Sequence, residues 1–149
     1  MGVKVIHFLS LFFIALALGG SLAHLFELPN KINLSREDYL TVQQIYRGWA
    51  LLGIAVVGAF ISALVQAFMV RKQRHVLVWT LVALACIVGT QAVFWIFTYP
   101  ANQQTHNWTA LPPNWQELRQ QWEYSHAAGA GLNLLALGAL IQSILAERS

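Results

Sequence analysis

The chain has 149 residues, 57% of them hydrophobic and only 10% charged. Soluble domains carry roughly 25% charged residues, so a water-soluble globule is excluded. The net charge of +3 is confined to short polar segments without a basic stripe, which excludes a nucleic-acid partner.

Four runs without a charged residue, Val5–Phe26, Gly48–Val70, Val76–Tyr99 and Ala127–Ala146, approach or exceed the ~20 residues a helix needs to cross ~30 Å of hydrocarbon. They predict a single all-α integral membrane domain over residues 1–149, a four-helix transmembrane bundle with the lipid bilayer as its partner. The spans are expected near 4–27, 46–70, 75–99 and 124–146, with interfacial helical parts near 36–46 and 114–124.

The first span follows Lys4 and contains Ser21-Leu22-Ala23, a small-x-small pattern that also suits a signal-peptide cleavage site. Cleavage there would make His24 an N-terminal residue able to chelate copper. Glu27-Leu28-Pro29-Asn30 is expected to end this helix, because proline disfavours helical geometry in the residue before it. Ser35 followed by Asp38 is a capping-box pattern that opens the next helix. That helix is expected to run from a polar start, Arg36 to Arg47, straight into the second apolar run. Tyr39, Tyr46 and Trp49 suit an interfacial aromatic belt.

Within the second run Ala55, Ala59, Ala63 and Ala67 recur every four residues, beside Gly58 and Ser62. Small residues at this spacing let helices approach closely, either inside the bundle or as the seam of a homo-oligomer. Arg71, Lys72 and Arg74 mark a tight cytoplasmic turn by the positive-inside rule, which puts both termini in the cytoplasm, where Lys4 and Arg148 agree. A bacterial inner membrane is the expected location. The lone Cys86 lies in the third run and forms no disulfide framework.

The third span is expected to stop at Tyr99-Pro100, followed by a loop from Ala101 to Pro113 that holds His106 and Trp108. Loops of this length in compact bundles are commonly functional, and Trp108, Trp115 and Trp122 favour an ordered lid. Asn114 with Glu117 repeats the capping pattern and starts the last helix, which extends into the outer interface. Its polar stretch, Asn114 to His126, aligns Trp115, Arg119, Trp122 and His126 on one face, continued by Asn133.

The polar residues are lopsided. His24, Glu27, Gln43, Tyr46, Arg47, Gln91, Trp95, Tyr99, Arg119, Trp122, Glu123, His126 and Asn133 all fall at the outer end or in the outer half, whereas the inner half offers only His7, Gln66, His75 and Gln142. Ionisable groups in membranes are costly and usually face the bundle interior, so an outer-half cavity between the first and last helices, under the Trp108 loop, is the expected site. His126 suits a general base, oriented by Glu123 three residues earlier, while Arg119 or Arg47 would hold a developing oxyanion. His24, Tyr46, Gln91, Trp95, Tyr99, Trp115, Trp122 and Asn133 would bind a flat hydrophobic aromatic ligand. This chemistry needs no cofactor. The alternative is a metal ion or haem held by His24, Glu27, Glu123 and His126, since Glu and His three apart recur in bundle metal sites. A further alternative is an accessory subunit in which these groups pair with Arg47 and Arg119 and tie the helix ends together.

The layout, with Asn114, Trp115, Leu118, Arg119, Trp122 and His126 leading into the last helix, resembles the anthrone-oxygenase-like family of small four-span membrane proteins. Glu27-Leu28-Pro29-Asn30-Lys31 and Gln44-Ile45-Tyr46-Arg47-Gly48-Trp49 resemble features of a bacterial branch. Most members of the family have no assigned function. Its members often carry an arginine shortly after the histidine, where this chain has Ala127 to Gly131. The resemblance implies a cofactor-independent oxygenation of a polycyclic phenol to a quinone.

Overall fold

A computed structural model describes residues 2–147. Met1, Arg148 and Ser149 lie outside it, and with them the basic contribution of Arg148 to the orientation argument. Helix α1 spans Gly2–Lys31, α2 Arg36–Gln43, α3 Gly53–Met69, α4 Arg74–Val93, α5 Tyr99–Gln104 and α6 Trp115–Ala146. The four long helical stretches, Gly2–Lys31, Trp49–Met69, Arg74–Gln104 and Trp115–Ala146, are long and apolar enough to cross a membrane. The chain is an all-α four-helix bundle of an integral membrane protein, as its hydropathy predicts.

Neighbours in the bundle run antiparallel. Helix α1 packs between α3 and α6, and α4 closes the ring against α3 and α6. The centre is apolar and made of small residues beside a few large ones: Ile14, Ala59, Ala63, Ala83, Ile87, Ala136, Ala139 and Leu140. Ala55, Ala59, Ala63 and Ala67 are all buried within the chain, so their face is used for intramolecular packing. There Gly58 lets Phe13 of α1 approach to where a Cβ would meet it at 2.6 Å.

Three helix boundaries differ from expectation. Helix α1 does not stop before Pro29 but continues to Lys31, and the Ile32 N–H still donates to the Leu28 carbonyl at 3.0 Å. Proline costs the helix one hydrogen bond here, and the chain accepts it at the last turn. The second span is interrupted, not continuous. After α2 come a short 3-10 turn, Gln44–Tyr46, a break at Gly48 with φ +84°, and a second 3-10 turn, Trp49–Leu52, that leads into α3. The third span runs past Tyr99-Pro100. A π-helical turn, Phe94–Thr98, widens the helix just before Pro100, and α5 carries on to Gln104. A wider turn relieves the clash of a proline ring with the carbonyl four residues earlier.

The capping box is present: the Asp38 N–H donates to Ser35 Oγ at 3.1 Å, and Ser35 Oγ donates to Asp38 Oδ2 at 2.7 Å. Asn114 does start α6, but its side chain caps nothing, since its backbone (φ −90°, ψ 22°) is not in the extended region that N-caps use.

Candidate functional site

The polar groups that α1 and α6 carry at the Trp108 end converge on a residue the sequence reading passed over. Because α1 continues through Pro29, His24, Glu27 and Lys31 fall at i, i+3 and i+7 on one face. Lys31 is 3% exposed and Glu123 of α6 is 1% exposed. The Lys31 ammonium donates to Glu123 Oε1 at 3.0 Å and to the Tyr46 hydroxyl, and lies 3.8 Å from Glu27 Oε2. It also sits 4.3 Å from the centre of the Tyr46 ring and 4.9 Å from that of Trp122, so aromatic faces cover what the carboxylates leave open.

The two tyrosines extend the network. The Tyr46 hydroxyl donates to Glu27 Oε2. The Tyr39 hydroxyl donates to Glu123 Oε1 at 2.9 Å and accepts from Gln43 Nε2 at 2.6 Å. Burial pushes both phenols above the ordinary tyrosine range. The Glu123 carboxylate adds to the effect at Tyr39, as do the hydrogen bond to Glu27 and that carboxylate's charge at Tyr46. Both tyrosines therefore act as neutral donors.

Beneath the lysine, toward the bundle centre, His24 and His126 stack with ring centres 4.0 Å apart. Trp122 packs edge-on against both, at 5.0 and 4.2 Å, and Trp49 against His24 at 5.3 Å. Asn133 donates to Ser21 Oγ at 2.9 Å, closing the α1–α6 seam one layer further in. Arg119 lies on the other side of Tyr39, donating to the Leu34 carbonyl at 2.8 Å with its guanidinium 4.7 Å from the Trp115 ring.

A lid covers the cluster. His106, Asn107 and Trp108 all adopt left-handed backbone, with φ of 49°, 56° and 61°. This single left-handed turn drives the Trp108 indole inward against Tyr39 and Trp122. Asn102, in α5, accepts from both indole N–H groups, Trp108 at 3.2 Å and Trp122 at 2.8 Å. Arg36 ties the far end of the loop to α2 by donating to the Leu111 carbonyl at 2.8 Å.

The structure thus brings together His24, Glu27, Tyr46, Trp122, Glu123 and His126, with Arg119, Trp115 and Asn133 at the margins. It does not place the remaining candidates there. Arg47 is exposed beside Gly48, Trp95 is 58% exposed, Tyr99 is exposed, and Gln91 is half-buried on α4 away from the lysine. His106 is exposed on the lid. Glu123 pairs with Lys31 and Tyr39, not with His126 or Arg119 as its spacing on α6 had suggested. Ring-on-ring packing of Tyr39, Trp108 and Trp122 occupies the place where a cavity was expected. Missed by the sequence reading were Lys31, Tyr39 and Asn102, while Gln43 was placed at this end without a role. Lys31 had a signal, a lone cation four residues after Glu27 and seven after His24; the others had none.

Among the described residues no group of three or more His, Cys, Asp or Glu side chains is placed to hold an ion. Glu27 and Glu123 are turned to the ammonium, and the His24 and His126 imidazoles face each other.

Several polar atoms of the cluster have no partner among the described residues: His24 Nδ1, Gln43 Oε1, Arg119 Nε and Glu123 Oε2. Each such buried atom costs about 1–3 kcal/mol. Fold and site together define the class, a four-helix integral membrane protein with an ion-paired lysine held between carboxylates at one end of the bundle. No family model matches the chain, and no curated protein and no solved structure matches it.

Proposed function

We propose that the chain is a membrane oxidoreductase that oxygenates a small hydrophobic aromatic compound, of the anthrone or quinol type, at the Lys31 end of the bundle. One observation carries the reading: a buried ammonium between two carboxylates and two neutral phenols, with unpartnered acceptors around it. Apolar residues of similar volume would stabilise the bundle as well or better, and groups held at that cost in a membrane mark functional sites.

In this reading His126 takes the proton from the activated CH₂ group of the substrate. The Lys31 ammonium stabilises the enolate oxygen that results. The carbanion adds dioxygen to give a hydroperoxide, which loses water to leave the ketone, so that R₂CH₂ + O₂ gives R₂C=O + H₂O. No cofactor is required. Glu123 and Glu27 keep the ammonium charged and in place, and Tyr39 and Tyr46 fix the carboxylates. The basic turn at Arg71 faces the cytoplasm and the lysine cluster the outer side of a bacterial inner membrane; this orientation is supported by the positive-inside rule.

The test is turnover of anthrone by membranes containing the chain, read as oxygen uptake and quinone absorbance. Lys31→Met and His126→Ala are expected to lower the rate by at least about 100-fold, the usual worth of an oxyanion donor or a general base. Undiminished turnover in either variant sinks the proposal.

The packing under Trp108 favours a second reading, an accessory subunit whose ion network ties the helix ends together. It predicts that the same variants change only stability and assembly with a partner.

A further inference from the structure

The Trp108 indole lies over polar groups that it does not satisfy. It is 3% exposed and packs on the Tyr39 ring, 5.2 Å between centres, and against Trp122 at 5.7 Å. Three of the buried atoms without a partner among the described residues belong to neighbours of that same tyrosine. Gln43 donates to the Tyr39 hydroxyl through Nε2, and its Oε1 has no donor. Glu123 accepts from the hydroxyl through Oε1, and its Oε2 has no donor. Arg119 holds its guanidinium 5.4 Å from the ring centre, with Nε–H unused. All three side chains are more than nine-tenths buried. An indole has one polar group, its N–H, and Trp108 gives that to Asn102.

The segment that presses the indole inward is strained and lightly held. Left-handed backbone crowds Cβ against the following carbonyl. Asn107 tolerates this, whereas His106 and above all the bulky Trp108 rarely adopt it. The segment is tied at both ends: Thr105 Oγ1 donates to the Ala101 carbonyl, and Arg36 to the Leu111 carbonyl, each at 2.8 Å. Between them Trp108 has three longer hydrogen bonds. Its N–H donates to Thr105 Oγ1 at 3.1 Å, its indole N–H to Asn102 at 3.2 Å, and its carbonyl accepts from Gln44 at 3.3 Å. Water can replace each of them. Asn102 would still hold Trp122, at 2.8 Å, and the released indole has a favourable place in the membrane interface.

We propose that Trp108 is a built-in plug, seated where a flat hydroxylated aromatic ligand of two or three rings binds, and that the ligand enters by displacing it. The rings of the guest take the place of the indole against Tyr39 and Trp122. Its hydroxyl donates to Glu123 Oε2 or Gln43 Oε1, and its oxygen accepts from Arg119 Nε–H. A lipid acyl chain would fill the same space and leave all three groups unanswered. The Lys31 ammonium lies 5.8 Å from the Tyr39 ring centre and 4.9 Å from that of Trp122, so the seat adjoins the site of the proposed oxygenation. The inference rests on that reading for the fate of the guest, not for its binding.

Binding of 2-naphthol, a two-ring phenol, to the full chain in phosphatidylcholine nanodiscs tests the plug, with empty nanodiscs as reference. In protein labelled with 5-fluorotryptophan, saturating 2-naphthol is expected to move the Trp108 fluorine resonance, identified from Trp108→Phe, toward that of the exposed Trp95. Trp108→Ala, which removes the plug, should bind at least about tenfold more tightly, because no molecules are held in the closed state. His106→Gly relaxes the closed turn and should bind about twofold more weakly. Naphthalene, which lacks the hydroxyl, should bind Trp108→Ala at least about tenfold more weakly than 2-naphthol does. Thermal melts check that the variants fold; if Trp108→Ala does not, the resonance shift and His106→Gly, at an exposed position, decide.

A Trp108 resonance unmoved at saturation, equal affinity in the wild type and Trp108→Ala, or naphthalene bound as tightly as 2-naphthol overturns the inference. Anthrone oxidation by the same samples separates it from the proposed reaction. Displacement of Trp108 by 2-naphthol without oxidation keeps the seat and removes the reaction. Oxidation at full rate with Trp108 never displaced does the reverse.

Discussion

Lys31 shows how strongly one residue organises this end of the molecule. Its ammonium has three acceptors, the Glu123 carboxylate, the Glu27 carboxylate and the Tyr46 hydroxyl. Removing one side of a buried ion pair costs more than the pair contributes, because the remaining charge is left uncompensated. Lys31→Met alone is therefore expected to destabilise the protein by about 3–5 kcal/mol. Lys31→Met with Glu123→Gln should cost clearly less than the sum of the two single changes, and thermal melts of the four proteins would show this coupling.

The phenols give a pH signature. Their titration is raised in the folded state, first by burial and then by the carboxylates beside them. A group whose folded pKa lies above its unfolded value contributes stability that is whole below the unfolded value, ~10 for tyrosine, and declines as pH rises beyond it. Stability should thus hold to about pH 10 and fall at higher pH. Tyr39→Phe should remove part of that alkaline slope. Phenolate absorbance from Tyr39 and Tyr46 should appear only together with unfolding.

At the scale of elements, the breaks in regular structure place the site. Gly48 adopts φ +84° in open space, so Gly48→Ala is expected to cost about 1–2 kcal/mol through backbone strain alone. The lid offers the opposite case. His106 is exposed and left-handed without being glycine. His106→Gly should relieve that strain, less the extra freedom the unfolded chain gains, for a net stabilisation of about 0.5 kcal/mol. A melt of the two variants side by side checks both signs. The same breaks explain what the sequence hid. Pro29 and Pro100 are ordinary stop signals, yet the chain passes both, once at a last turn and once behind a π-helical turn. Lys31 and Asn102 lie just beyond those prolines, so a helix expected to stop at Pro29 hid the spacing of Lys31 to Glu27 and His24, and one expected to stop at Pro100 left Asn102 in a loop. Tyr39 looked like one more interfacial aromatic, because nothing in its spacing reveals that its hydroxyl is turned inward to Glu123.

For the whole molecule, hydropathy alone was enough to read the architecture. Four uncharged runs separated by polar turns admit few arrangements other than an antiparallel ring, and the alternation of polar ends told which end would gather the ionisable groups. Spacing on α6 put Trp122, Glu123 and His126 close together, as they are in the structure, but it could not choose Glu123's partner, since that depends on which face of α1 turns toward it. Orientation is open to a direct check. In a Cys86→Ser background, Lys72→Cys is expected to react with membrane-impermeant maleimide only after the cytoplasmic side is exposed, and His106→Cys from the outside in intact cells. The reverse pattern would invert the orientation proposed for the site.

The shared acceptor beneath the lid makes its position visible. Two indoles whose centres lie 5.7 Å apart, inclined at 74° and pinned to one amide oxygen, are close enough for their excited states to couple. The folded chain should show a paired positive and negative band in circular dichroism in the indole absorption region, lost on Trp108→Phe. Any event that swings Trp108 away from Trp122 would then announce itself as the collapse of that doublet, with no external label.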